Sequence, residues 1–215
     1  MASSEWGEER LIRLFLLSPI RYSVLAIRHM FSHPLPLPHA VPQMPATPDD
    51  LFAFLDRLGI THPTVTHAAL FTVEESQALR GEILGGHTKN LFLKDKKGAL
   101  YLVTALEDAA IELKSLHRRL GASGRFSFGP AEQMREVLGI EPGAVTPFAA
   151  MNDTAQRVTV VLDQAQMSHA IINCHPLRNT MTTSIARDDL VKFLEATGHR
   201  PRIEAVAEPR ASAAP

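Results

Sequence analysis

The sequence predicts a single α+β domain, a mixed and largely antiparallel sheet with flanking helices. Three observations lead there. Runs of β-branched and aromatic residues alternate with helical segments whose ends carry recognisable caps. Several strand runs are joined by stretches too short for a crossover helix, so they must pair as antiparallel neighbours. The 215 residues, 45% hydrophobic and 21% charged, suit one substantial domain with an extension.

The chain divides at about residue 43. Residues 1–43 carry Arg10, Arg13, Arg21 and Arg28 around a short apolar stretch, Leu14–Leu17, and end in the proline-rich run "HPLPLPH". Prolines at 34, 36, 38 and 42 favour an extended linker. The apolar stretch is too short to span a bilayer, and the leading Glu5, Glu8 and Glu9 fit neither a signal peptide nor an organellar presequence. This extension is expected to be poorly ordered and dispensable, with Met44 as the natural start and activity residing in residues 44–215. A weak amphipathic helix over 8–17 is its one structured candidate.

From residue 44 the pattern becomes regular. In "TPDDLFAFLDRLG", Thr47 is the N-cap and Pro48 the first helical residue. Leu51, Phe52, Leu55 and Leu58 line one face, and Gly59 is the stop. "TVTH" (64–67) reads as a short strand. "TVEESQALRG" spaces Thr72 and Glu75 as a capping box and closes on Gly81. "NLFLKDKKGALYLV" is two strands about a turn at Asp95–Gly98. "AAIELKSLHRRLG" and "PAEQMREVLG" are helices ending in glycine. "RVTVVLD", "HAIINCH" and "TMTTSIA" are strands, and "RDDLVKFLEATG" is a last helix. The domain is expected over 44–206, with a disordered tail over 207–215.

Totals exclude several chemistries. A formal net charge of −1 leaves any nucleic-acid contact to a local patch. The lone Cys174 rules out an intramolecular disulfide. Ten histidines form neither HExxH nor a Cys/His cluster, so neither metal nor cofactor is expected. From Gly81 the count reaches Gly86, but His87 follows where a phosphate loop needs lysine. No G-x-G-x-x-G and no G-x-S-x-G is present. In "NCHP", Cys174 and His175 are adjacent on a strand, so their side chains should diverge rather than form a dyad.

Three stretches survive: "GGHTKN" (85–90), "GAVTPF" (143–148) and "HPLRNTMTTS" (175–184). Each alone would pass as an exposed lysine at a strand start, a routine connection and a hairpin turn. Gly143 permits unusual backbone angles and Pro147 fixes the exit, so backbone amides there can face a ligand.

In the order and spacing of "LGGHTKNLFLKDKKGALYLV", "RFSFGPAEQMREVLGIEPGAVTPF", "VTVVLD" and "NCHPLRNTMTTSI", residues 46–206 resemble the YbaK-like, prolyl-tRNA-synthetase-associated domain family. Lys89–Asn90 and the run from Leu138 to Phe148 are similar to its free-standing ProX or PrdX branch; the cysteine-specific YbaK branch is the near alternative. The resemblance implies a cytoplasmic, monomeric deacylase that removes alanine from mischarged tRNA(Pro). Its partners would be the tRNA(Pro) acceptor end carrying a wrong amino acid and, further, prolyl-tRNA synthetase; no membrane is involved. It implies Lys89 as the catalytic residue, with no covalent nucleophile. Asn90, Gly143, Val145, Thr146, Pro147 and His175 would hold the substrate, and a role for His175 as base stays open.

The chemistry suits these residues. Ester hydrolysis needs a water, a place for developing negative charge and a grip on a small aminoacyl group. A proline pocket cannot strongly exclude alanine, since each missing methylene forfeits only about 1–3 kcal/mol. A second, cramped site is therefore needed, expected between the 74–84 helix and the strand near His175. Lys94, Lys96, Lys97, Lys114, Arg118 and Arg119 are the candidate basic surface for tRNA. Two other classes stay in view: a non-catalytic tRNA-binding module with Lys89 as phosphate anchor, and a regulatory subunit tethered through the extension.

Overall fold

A computed structural model describes residues 44–68 and 83–208. The readings made on residues 1–43, on the helix opening at Thr72 and on the tail from residue 209 fall outside the described residues. Four α-helices are described: α1 (Pro48–Arg57), α2 (Leu113–Arg119), α3 (Ala131–Leu138) and α4 (Arg187–Ala196). The strands are β1 (Thr64–Thr66), β2 (Gly86–Lys94), β3 (Leu100–Leu106), β4 (Ser127–Phe128), β5 (Val158–Asp163), β6 (Ile171–Cys174), β7 (Met181–Ala186) and β8 (Arg202–Glu204).

All eight strands join one sheet in the order β1-β7-β6-β2-β3-β5-β8, with β4 on the edge of β2. The pairs β1/β7, β6/β7, β2/β3 and β2/β4 are antiparallel, and β2/β6, β3/β5 and β5/β8 are parallel. The expected mixed sheet with flanking helices is the fold observed. Sequence reading missed β4, β8 and two short 3-10 helices over Pro147–Asn152 and Gln164–Ser168. It also started β2 at Asn90, whereas the strand begins at Gly86, because Gly86 and His87 pair with Ile172 and Asn173 of β6. Lys89 consequently sits inside a strand rather than at its mouth.

Local chemistry accounts for the elements. At α1, Thr47 accepts from the Asp50 amide while the Asp50 carboxylate accepts from the Thr47 amide and hydroxyl. Two donors that would otherwise be orphaned at the helix start are thereby satisfied. The side-chain and backbone hydrogen bonds from Thr47 hold the Asp50 carboxyl below its ordinary value. The β2–β3 turn is organised by Asp95, whose carboxylate accepts from the amides of Lys97, Ala99 and Ser123.

The period of two along β2 and β3 gives the sheet two faces. Phe92, Leu100 and Leu102 point to one face, against Leu51 and Leu55 of α1, Leu138 of α3 and Phe193 of α4. Leu93, Tyr101, Val103 and Ala105 point to the other, against Leu116 of α2 and Leu120. Each fully buried leucine contributes about 1.5–3 kcal/mol relative to exposure. The chain stays ordered past Glu204. Arg119 donates to the carbonyls of Ala205 and Ala207, and Ala207 itself donates to Asp163.

One polar pair lies within the first core. Asp153 accepts from His199 Nε2 at 3.2 Å and from the Val158 amide at 2.8 Å, and both side chains are almost fully buried. The pair ties the segment after α4 to the start of β5. Burial pushes the Asp153 carboxyl up, but hydrogen bonds from His199 and from the Arg157 and Val158 amides outweigh it and hold the group low. A depressed folded value means stability that is present above the ordinary carboxylate range and lost as pH falls through the folded value. Asp153→Ala, which orphans both donors, is expected to cost about 3–5 kcal/mol in urea denaturation at pH 7. The difference from wild type should shrink as the pH is taken below 4; a loss under 1 kcal/mol at pH 7 contradicts this account.

Candidate active site

The parallel pairing of β2 with β6 decides which side chains meet. Gly86 and His87 stand opposite Ile172 and Asn173, and the Thr88 hydroxyl lies 2.8 Å from the Asn173 carbonyl and 3.5 Å from Cys174 Sγ. Thr88 and Cys174 therefore share a face, and Lys89 and His175, one residue on, share the opposite one. Gly85, at φ +120, lets the chain come this close. A Cβ there would lie 2.9 Å from the Ile171 carbonyl oxygen.

The Lys89 face also carries His87 from β2, Asn173 from β6, and Thr182 and Ser184 from β7. Ser184 donates to Asn173 Oδ1 at 2.7 Å, and His67, just past β1, bonds Thr182 Oγ1 through Nε2 at 2.9 Å. The rings of His67 and His175 lie 6.4 Å apart. His175 Nδ1 donates to the Met181 carbonyl at 2.9 Å, which leaves Nε2 as an acceptor. Burial, reinforced by repulsion from His67 and His87, pulls the His175 pKa below its ordinary value, although the Met181 contact opposes this. His175 is thus a neutral imidazole at pH 7. Half-buried Lys89 turns its ammonium to the carbonyl of Ala109, in the segment after β3, rather than toward His175.

Asn90 occupies the other face. Its Oδ1 accepts from the buried Thr104 hydroxyl at 2.8 Å, opposite it on β3. A substrate contact from Asn90 would have to come through its amide nitrogen. The "GAVTPF" loop belongs to that side as well. Thr146 is fully buried and accepts from the Phe148 amide, Pro147 is buried, and Val145 packs on the first core. Gly143, exposed at φ +93, faces the turn that follows His175, and a Cβ there would lie 3.9 Å from Asn179 Nδ2. Between loop and turn lies an open cavity of about 430 Å³, lined by Ile140, Ala144, Leu177 and Asn179 among others.

The register thus puts Lys89 and His175 on one face, and Asn90, Val145, Thr146 and Pro147 on the other. The 175–180 turn links the two. Sequence reasoning did not single out His67, Thr182 or Ser184, whose common face depends on register across three strands. The helix expected to line an aminoacyl pocket lies outside the described residues, apart from buried Ile83 and exposed Leu84. In the candidate basic surface, Lys96, Lys97, Lys114 and Arg118 are exposed, whereas Arg119 is bound to backbone carbonyls and to Glu208. Among the described residues, no group of three or more His, Cys, Asp or Glu could hold a metal ion, and no helix is long and apolar enough to cross a membrane.

Residues 67–193 match the family model of the aminoacyl-tRNA editing domain. A prolyl-tRNA synthetase associated domain-containing protein 1 from Danio rerio is 41% identical over 156 residues, covering 72% of this chain and 84% of that protein. A prolyl-tRNA editing protein ProX from Acetoanaerobium sticklandii is 34% identical over 150 residues, covering 69% of this chain and 91% of that protein. A crystal structure of a candidate trans-editing enzyme for prolyl tRNA synthetase superposes with a TM-score of 0.56 at 18% identity. It covers 76% of this chain and 98% of the other, and is similar in fold.

Cys174 is buried, and burial pushes its thiol up to about 12 against the opposing Thr88 contact. It should therefore behave as packing. Alkylation by iodoacetamide at pH 8 is expected to run at least about 100-fold slower in the native protein than in urea. Cys174→Ala should leave the rate of the site's reaction nearly unchanged; a 10²-fold fall with folding intact would overturn this.

Proposed function

Because the chain belongs to the aminoacyl-tRNA editing domain family, we propose that it is a trans-acting deacylase that hydrolyses Ala-tRNA(Pro) at the aminoacyl ester. The observation that carries this reading is a half-buried lysine and a partly buried imidazole with its Nε2 lone pair uncommitted, on one sheet face. The names of the two relatives, one for prolyl-tRNA editing and one for prolyl-tRNA synthetase, support tRNA(Pro) as the carrier.

In this reading water adds to the ester carbonyl carbon and negative charge grows on the carbonyl oxygen. Lys89, released from the Ala109 carbonyl, meets that charge. The carbon–oxygen bond to the ribose then breaks, the ribose oxygen takes a proton, and free alanine and uncharged tRNA leave. The substrate's own 2′-hydroxyl organises the water, while the 143–147 loop, on the opposite face, backs the turn that follows His175. A positive donor that meets charge present only in the transition state raises kcat rather than ground-state affinity. His175 positions the aminoacyl group, and Asn90 steadies β2 through Thr104. Exposed Lys96 and Lys97, on the turn beyond β2, offer charge to the acceptor stem.

The test is single-turnover hydrolysis of Ala-tRNA(Pro), Cys-tRNA(Pro) and Pro-tRNA(Pro) by the full chain and by Lys89→Ala. Wild type is expected to cleave the alanyl ester selectively, and the variant to be slower by about 10²–10³-fold. Selective cleavage of the cysteinyl ester would move the chain to the other branch. No cleavage of any ester, with binding retained, would make it a tRNA-binding module.

A further inference from the structure

We propose that the face carrying His175 reads the free α-ammonium group of the aminoacyl ester, through His175 Nε2 and the hydroxyl oxygen of Thr182. The inference rests on the deacylase reading above and adds a requirement on the substrate. It follows from where the ring and hydroxyl protons around His175 are committed. His175 spends Nδ1–H on the Met181 carbonyl at 2.9 Å, so Nε2 presents a lone pair. His67 spends Nδ1–H on the Ala68 carbonyl at 2.8 Å, so its Nε2 accepts the Thr182 hydroxyl proton at 2.9 Å. Thr182 keeps its oxygen lone pairs for a ligand. His87 spends Nε2–H on the Ile83 carbonyl at 2.9 Å, leaving Nδ1 as a further acceptor.

Register brings these atoms together. Cys174 pairs with Thr183, so His175 stands opposite Thr182, and His87 pairs with Asn173, two residues before His175. Directly opposed residues lie about 4.5–5.5 Å apart at Cβ, and diagonal ones about 7–8 Å apart. Around His175 Nε2 and the Thr182 oxygen the atoms on offer are acceptors, so a ligand group seated between them must bring N–H or O–H groups. An ammonium carries three donors and no acceptor. Lys89 does not consume these acceptors, because its own ammonium is held by the Ala109 carbonyl. The titratable groups facing His175 are His67 from beyond β1 and His87 and Lys89 from β2, while β7 offers Thr182 and Ser184. A neutral His175 is required, and its lowered pKa agrees with that.

Two esters lack the feature: lactyl-tRNA(Pro), of matching size with a hydroxyl in place of the amine, and the larger N-acetylalanyl-tRNA(Pro), with the charge removed. The full chain is expected to prefer the alanyl ester by about 10²-fold in kcat/KM. His175→Ala should bring the alanyl-to-lactyl ratio toward one. Thr182→Val should lower it in part, and His175→Gln, which keeps an acceptor oxygen, should retain more of it than alanine does. A merely structural role for His175 lowers both rates in parallel and leaves the ratio unchanged, which overturns the proposal, as does equal cleavage of all three esters by wild type. Calorimetric binding of uncleavable 3′-alanylamido-3′-deoxyadenosine against its N-acetyl form judges the proposal without catalysis. Preference for the free amine upholds ammonium recognition even if no ester is cleaved. Equal affinity, or binding of neither, overturns it even if the esters are hydrolysed.

Discussion

Two pairs of opposed residues, Gly86 with Ile172 and His87 with Asn173, join the two halves of this sheet. On one side lie β6, β7 and β1; on the other lie β2, β3, β5 and β8. A parallel ladder this short has few hydrogen bonds of its own, each worth about 1 kcal/mol net. It is held instead by the packing of Ile172, Cys174 and Ile185 into the core shared with Phe92 and Leu102. The approach depends on Gly85, where a side chain would strike the Ile171 carbonyl. The juncture also explains the site. β6 ends at Cys174 while β2 runs on to Lys94, so the strand carrying Lys89 outlasts its neighbour at His175.

The reaction proposed above calls for no enzyme nucleophile. Cys174 is the residue a motif search would favour, yet it points into the core, and its thiol is the wrong species at neutral pH. In the proposed reaction Lys89, on the opposite face, supplies charge and His175 a lone pair, and backbone carbonyls hold both side chains. Carbonyls of Ala109, Met181, Ala68 and Ile83 take up the protons of Lys89, His175, His67 and His87. Carbonyl acceptors of this kind fix a tautomer as firmly as a carboxylate can, without adding a negative charge beside the substrate.

Much of the fold was legible because the signals were local. Thr47, Pro48 and Gly59 bracket α1, Asp95–Gly98 marks the hairpin turn, and β-branched runs mark β5 and β7. What escaped was non-local. β8 is three residues long, and Ile203 is half exposed, so alternation gave no sign of it. The start of β2 escaped because its first residues are strand only through β6. The same limit applies to the site. Lys89 and His175 were singled out by motif and resemblance, but their common face follows from register over 86 residues of separation. The opposite placement of Asn90 follows from the pleat, and the pairing of His67 with Thr182 from a third strand. That exposed Arg119 also donates to the carbonyls of Ala205 and Ala207 was not legible, since those residues lie more than 80 positions away.

The central claim is that the β2–β6 juncture makes Lys89 and His175 one site. Its most direct measurement is a nitrogen-15 NMR titration that follows the Lys89 ammonium and the His175 ring nitrogens as 3′-alanylamido-3′-deoxyadenosine is added at pH 7. The account predicts that His175 begins neutral with its proton on Nδ1, and that both residues shift along one binding curve. A His175 that carries its proton on Nε2, or a lysine that shifts while His175 does not, would contradict it.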